Sequence, residues 1–379
     1  MLLIKNGTLY TMESKFPVKG DLLIKNGIIE KISENISPDE NMRVLDATNL
    51  RVYPGFIDAH SHLGIAEEKS TALNDESNEG TTPVTPWIRG IDGINPMDSA
   101  FHNALAVGIT GVLAGPGSAN PVGGQFGFIK TSGRCIDEMI VLFPAAIKVA
   151  LGENPMNNYG SNGNTPSTRM GTSAVIREEL FNAKKYLEGN GEKDFRYECY
   201  RPLFEGEIPL KAHVHRADDI LTIIRIAKEF GLSVTLDHCT EGHLVAKEIA
   251  ASGFPAIVGP SLASRNKKEV SQLDFKTSGV LRKQGVTVAI TTDHPVSRIQ
   301  YLPLCAALAA KEGLSEYDAL RAITIDAAKI CRVDHRLGSI KTGKDGDLVI
   351  YDGNPFDVFS RVRYTIINGK IVWPTANTN

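Results

Sequence analysis

A chain of 379 residues with 42% hydrophobic content can bury one large core or two ordinary ones, so size excludes little. Its formal net charge of -3, from 41 basic and 44 acidic residues, offers no broad positive field to a phosphate backbone or an anionic membrane, which argues against both as partners. The five cysteines (Cys135, Cys199, Cys239, Cys305, Cys331) are scattered without a CxxC pair, the usage expected of reduced thiols in a cytoplasmic protein. The opening MLLIKNGTLYTM has no basic stretch leading a long apolar run, and no later segment approaches the roughly 20 apolar residues of a membrane span.

Taken in chain order, the first fifty residues alternate apolar and polar positions in LLIKNG, DLLIKNGIIEKI and MRVLDATN, and Asn-Gly at 6–7 and 26–27 signals hairpins. The end of the chain repeats this style in DLVIYDG and YTIINGKIVW, with Asn368-Gly369 as a further tight turn. Both ends therefore predict one small β-sandwich domain over 1–52 and 338–379. Between them, over 53–337, eight apolar runs can be counted: VYPGFIDAH, TGVLAG, FGFIKT, AAIKVAL, PLKAHVH, SVTLDH, PAIVGP and TVAITTD. Helical patterns over 172–187, 217–230, 243–251 and 301–312 follow several of them, an alternation that predicts an α/β fold, a (β/α)8 TIM barrel.

One join departs from that rule. The segment PGSANPVGGQ between the second and third runs is too short and too glycine-rich for the crossover that parallel neighbours need. It lacks the GK[ST] ending of a phosphate loop and is expected to be a tight turn at the barrel rim. Two long loops, 64–96 and 152–171, leave the ends of the first and fourth runs, where lids and binding loops belong.

The chemistry gathers at run ends. His60 and His62 stand two apart in an extended run, so their side chains share a face and one cation could hold both, although two packed imidazoles would look the same in isolation. Lys148, His213, His215, His238 and Asp293 close other runs, so five of the nine histidines fall at strand ends together with a terminal carboxylate. Barrel closure brings such ends around one mouth, which favours a metal site over core packing. Neutral imidazole and carboxylate suit zinc and related ions, and an open coordination position admits a water that ionises near neutral pH. Asp293, a carboxylate beside such a water, is expected to accept its proton. Arg169 in PSTRMG could grip a substrate carboxylate or serve only as a helix-entry arginine. His294, beside Asp293, should face the other side of its strand.

PGFIDAHSH resembles the first-strand signature of the amidohydrolase superfamily, and the order of groups along the whole chain fits it. The stretch ALRAITIDAAKICRVDHRLGSIKTGKDGDLVIYDGNP is similar to the C-terminal part of imidazolonepropionase-like members, and AIKVALGENP with PSTRMG resembles a branch of that group. The resemblance implies a metal-dependent hydrolase acting on an amide-type C-N bond, in a cyclic amide or an N-acyl amino acid or dipeptide-like small molecule, through metal-activated hydroxide. It implies His60, His62, His238 and Asp293 as ligands, with two zinc ions bridged by a carboxylated Lys148 or by the competing acid Glu153. A free ammonium in a cationic mouth would be repelled, so Lys148 should be neutral or converted to a carbamate, unless it merely snorkels or pairs with an acid. Relatives usually draw one ligand from strand five; His213 is favoured, with His215 contacting substrate, and the choice between the two stays open here. A deaminase is the alternative, but those relatives lack the strand-four lysine and carry an acid where Arg216 stands. A non-catalytic scaffold barrel, the reading from another class, would be expected to lose ligands. Homo-oligomerisation is left open by the sequence.

Overall fold

The computed structural model describes residues 1–68, 75–189 and 192–374, so residues 69–74 of the long loop predicted over 64–96 lie outside the described residues. Two eight-stranded sheets organise the chain. The first is built from both ends: β1 (Leu2–Leu9), β2 (Val18–Lys25), β3 (Ile28–Ser33), β4 (Arg43–Asp46) and β5 (Arg51–Pro54) from the start, with β14 (Leu348–Tyr351), β15 (Val362–Ile367) and β16 (Lys370–Trp373) from the end. Its order is β16-β15-β14-β5-β1-β2-β3, with β4 beside β1, so β5 and β14 join the two ends antiparallel. Alternation buries Leu2, Ile4, Leu22, Ile24, Val52, Leu348 and Ile350 in one apolar cluster.

Asn26-Gly27 and Asn368-Gly369 are tight turns with both residues at positive φ, as their hairpins require. Asn6-Gly7 is not a turn, contrary to the sequence reading. It lies inside β1, where the pairing with β2 shifts register between Ile4 and Gly7 and the Asn6 amide donates to Asp21 Oδ1 at 2.8 Å. Asparagine tolerates the left-handed backbone of a bulge as well as that of a turn, so the dipeptide alone could not separate them.

The second sheet is the barrel: β6 (Phe56–Ser61), β7 (Ile109–Ala114), β8 (Val122–Lys130), β9 (Ile140–Ala150), β10 (Leu210–Val214), β11 (Val234–His238), β12 (Ala256–Val258) and β13 (Val288–Ile290), in that spatial order. All eight apolar runs contribute to it. VYPGFIDAH, however, is two strands in two sheets: it divides at Gly55, where a Cβ would meet the Thr110 side chain at 2.0 Å. The anomalous join is explained by direction. β8 runs antiparallel to both β7 and β9, so PGSANPVGGQ turns the chain back and no crossover helix is needed. Its glycines serve close approach: a Cβ at Gly124 would stand 2.3 Å from the Ile88 carbonyl oxygen.

The covering helices include Ala217–Phe230, at the predicted boundaries, and Arg169–Glu188 and Leu302–Lys311 close to theirs. Ala217–Phe230 buries Ile220, Ile223, Ile224 and Ala227 on one face and stops at Gly231, whose φ of 70° supplies a left-handed cap. Closure between β13 and β6 combines a backbone bond just past the strand ends, from the His62 amide to the His294 carbonyl at 2.9 Å, with side-chain bonds. Asp58 accepts from the Thr291 and Thr292 hydroxyls, each at 2.6 Å, and from the Thr292 amide at 3.0 Å. Burial pushes its carboxyl up to about 6 despite these bonds. The terminal sheet is tied to the barrel by Lys130 at the end of β8, which donates to Asp345 Oδ2 at 2.7 Å and Asp347 Oδ1 at 3.0 Å, all three buried.

Candidate metal centre

The strand ends bring the predicted groups together as two trios. His60, His62 and Asp293 offer ligand atoms within 4.8 Å of one another, and so do His213, His215 and His238; all six residues are buried. Ring centroids of His60 and His238 lie 4.9 Å apart, so the trios adjoin. Strand periodicity explains the first pair: residues two apart share a face, and both imidazoles emerge on the same side of the β6 end. Asp293 and His238 adopt positive φ, 51° and 69°, where their strands break off toward the mouth.

Four of the five rings are anchored through Nδ1, whereas the hydrogen bond to His213 comes from Asn154 Nδ2 to its Nε2 at 3.4 Å. His60 Nδ1 meets Asp237 Oδ2 at 2.9 Å, His62 Nδ1 the Gly115 carbonyl at 2.7 Å, His238 Nδ1 the Gly259 carbonyl at 2.8 Å, and His215 Nδ1 the Thr240 hydroxyl at 2.7 Å. Against a carbonyl or carboxylate, Nδ1 must carry the proton, which leaves the Nε2 lone pair of His60, His62 and His238 facing the mouth. Burial, reinforced by the charges of Lys148 and Lys211, holds His60 well below the usual imidazole value. Burial also holds His213 and His238 well down and brings His215 to about 4, so these rings are neutral at neutral pH, the form that binds metal.

The donor set fits a divalent ion. His60 Nε2 and His62 Nε2 each stand 3.3 Å from Asp293 Oδ1, so two lone pairs confront a carboxylate oxygen. Ligands at 2.0–2.1 Å from a tetrahedral zinc are separated by roughly 3.3 Å, the same spacing. Among the described residues Asp293 Oδ1 and His238 Nε2 are buried without a hydrogen-bond partner, a costly state that a cation would relieve. Lys148, fully buried, places Nζ 3.4 Å from His60 Nε2, and burial lowers its ammonium to about 8. A Cβ on Gly123 would crowd the Lys148 stem at 3.1 Å, a second use of the glycine-rich turn.

Two predicted residues stand elsewhere. Glu153 belongs to a reciprocal clasp: its amide donates to Glu269 Oε2 at 2.7 Å and its Oε1 accepts from the Glu269 amide at 3.1 Å. Arg169, at the start of its helix, pairs with Asp219 at 3.1 Å. Neither lines the cavity of about 250 Å³ that holds His62, His213, His215 and Asp293. A larger neighbouring cavity of about 760 Å³, lined by Trp87, Ile88 and Arg89 and sharing Asp75, Ser77, Asn78 and Gly117 with the first, has no imidazole among its described lining residues. His294, which follows the break of β13 and so is not placed by strand alternation, does not line the first cavity, and its Nδ1 accepts from the Ile299 amide at 3.2 Å.

The sequence reading missed four residues. Asp237 orients His60, and Lys211 donates to the Ala59 carbonyl at 2.9 Å and lies 3.3 Å from Asp237. Lys211 precedes His213 by two residues and so shares its face, a signal present in KAHVH. Glu269 brings a fully buried carboxylate to 4.0 Å from His213 Nε2, and Lys267 lines the cavity. Both belong to the long connection after β12, Glu269 within a single 3-10 turn (Lys268–Val270) and Lys267 just before it, an element too short to show a periodicity that betrays a side chain's direction.

Barrel, converging imidazoles and a carboxylate at the last strand define a class, the hydrolases that work at a metal-binding barrel mouth. The amidohydrolase family profile matches residues 51–372, and the chain belongs to the amidohydrolase family, whose members hydrolyse carbon-nitrogen bonds. It is similar to the crystal structure of an amidohydrolase from Thermotoga maritima MSB8, with 42% identity, a TM-score of 0.95, and coverage of 98% of this chain and 100% of that one. It is 28% identical to amidohydrolase tasK of Hapsidospora irregularis over 89% of this chain, but spans only 38% of that protein's length. It is 26% identical to an imidazolonepropionase of Picrophilus torridus, covering 98% of each chain, in line with the resemblance read from the C-terminal stretch. Among the described residues no helix is long and apolar enough to cross a membrane.

Proposed function

We propose that the chain hydrolyses an amide-type C-N bond of a small molecule, a cyclic amide or an N-acyl amino acid or dipeptide-like compound, at a centre of two zinc ions. The observation that carries this reading is the confrontation of buried, unpartnered ligand atoms from two adjoining trios. His60, His62 and Asp293 would hold one ion. His213, His215 and His238 would hold the other, so both imidazoles of KAHVH serve as ligands and His215 is not reserved for substrate. Zinc suits this nitrogen-rich set, and when bound it acts as a Lewis acid that also brings the pKa of water toward neutrality.

The protein's own groups do the rest. Asp293 touches both His60 and His62 and is placed to accept a proton from the attacking water and return it to the leaving nitrogen. Asp237, held in turn by Lys211, keeps the His60 proton on Nδ1. Lys148, with its ammonium lowered to about 8, has a neutral fraction able to add carbon dioxide and release a proton, giving a carbamate between the trios. We assign the bridge to Lys148 over Glu153, because the Glu153 carboxylate is engaged by the Glu269 amide. The test is a screen of zinc-loaded protein against N-acyl amino acids, dipeptides, hydantoins, dihydropyrimidines and imidazolones. Chelator-sensitive ring opening or deacylation is expected. Release of ammonia from an amino-substituted heterocycle, or less than about one equivalent of bound metal, would overturn the reading.

A further inference from the structure

We infer that Lys267, held in place by Asn154, forms an anion subsite that seats the carboxylate of the substrate, so that the substrates are molecules carrying a carboxylate a few bonds from the scissile amide, such as N-acyl α-amino acids and dipeptides. The inference rests on the proposed hydrolysis in the cavity of His213, His215 and Asp293, and narrows its substrate class.

Both residues line that cavity. The Lys267 ammonium donates to Asn154 Oδ1, while Asn154 Nδ2 donates to Ser118 Oγ at 2.8 Å and lies 3.4 Å from His213 Nε2. Only one side-chain amide therefore separates the cation from the second trio. Among the described residues Lys267 has a neutral amide as its partner and no carboxylate paired with it. Two nearby arginines, by contrast, are paired with acids: Arg169 with Asp219, and Arg216 with Asp218 at 2.8 Å. Of the two acids lining the cavity, Asp293 faces the imidazoles and Asp75 accepts from the amide of Ser77 at 2.8 Å. An ammonium has three donors, so two remain after Asn154 is served, enough to take a carboxylate by charge-assisted bonds.

The subsite is also braced. The reciprocal clasp between Glu153 and Glu269 ties the residue before Asn154 to the residue two after Lys267. Glycine is required beside it, since Gly152 has φ 87° and a Cβ there would stand 2.4 Å from Glu269 Oε2. A clasp of this kind fixes the separation of the two side chains before ligand arrives, which lowers the entropic cost of gripping an anion.

The experiment measures, on zinc-loaded protein, equilibrium binding and turnover of N-acetyl amino acids against the matching N-acetyl amino acid amides. Wild type should bind the carboxylates at least roughly tenfold more tightly, the fold-change expected of one charge-assisted contact. Lys267→Met should erase that preference without changing zinc content or affinity for the amides, and Lys267→Arg should keep most of it. Equal binding of acids and amides by wild type would overturn the subsite, as would a preference that survives Lys267→Met, because the anion would then sit on the metal. A Lys267-dependent preference without turnover of any probe would uphold the subsite and count against the hydrolytic reading alone.

Discussion

Two clusters of buried charge can be compared within this molecule. Beneath the terminal sheet, Lys130 meets Asp345 and Asp347, and Arg336 reaches Asp345 Oδ2 at 2.8 Å. At the barrel mouth, Asp293 Oδ1, His238 Nε2 and Glu269 Oε1 are buried without hydrogen bonds, and lone pairs face one another. In the first cluster two cations face two carboxylates, and Asp347 Oδ2, although without a hydrogen bond, lies 3.0 Å from the Lys130 ammonium. In the second, Lys148 Nζ stands 3.4 Å from His60 Nε2, yet Asp293 Oδ1 and His238 Nε2 are left facing the mouth without a partner among the described residues. Burial of polar groups is thus common to both, and what distinguishes a structural cluster from a binding centre is whether the chain itself completes the set.

Substitutions can break this contrast. The largest effect is expected at the mouth: Asp293→Asn should lower kcat/KM by about 10²–10⁴-fold and weaken metal binding to the first trio, while the metal-free protein stays folded. Steady-state kinetics with metal analysis and thermal unfolding checks it, and retained activity would remove Asp293 from the proton relay. The converse is expected at the Lys130 cluster beneath the terminal sheet. Lys130→Met should destabilise the fold by about 3–5 kcal/mol, because two buried carboxylates lose their cation, yet leave bound metal per folded molecule unchanged. Denaturant titration reads it, and a loss below about 1 kcal/mol would mean that Arg336 suffices.

A smaller effect is expected behind the ligands. Asp237→Asn should reduce activity or metal affinity by about 10–100-fold, since His60 loses the acceptor that fixes its tautomer. An unchanged zinc affinity and rate in that variant would show that His60 is oriented by packing alone. The finest probe is pH. With the Lys148 ammonium lowered to about 8, its neutral fraction grows as pH rises through 8, so addition of carbon dioxide, seen as about 44 Da of labile mass, should follow that midpoint. The sign for stability agrees: between about 8 and the ordinary 10.5 the unfolded chain binds the extra proton, so the unmodified protein gains stability as pH rises across that window. A midpoint near 10, or no adduct at any pH, would leave Lys148 as a plain buried amine.

Much of this was legible because strands announce themselves. The HxH of β6, the histidines of β10 and β11 and Asp293 could be placed by alternation and by the apolar runs that precede them, and the helix over 217–230 by its apolar face and the glycine after it. Reversal of β8 was foreshadowed only by a join too short for a crossover. Asn6-Gly7 misled because bulge and turn ask the same of asparagine. Lys130 gave no signal, since its partners lie more than 200 residues away in the second terminal segment. Glu269 and Lys267 gave none either: their directions come from a loop pinned by Glu153, and tertiary contacts of that kind leave no period in the sequence.

The most direct test of a mouth that is completed by metal is a crystal grown with zinc and measured at the zinc absorption edge. Two anomalous peaks are expected, one enclosed by His60, His62 and Asp293 and the other by His213, His215 and His238. Absence of zinc at both trios, with the six side chains turned apart or hydrogen-bonded to one another, would contradict it.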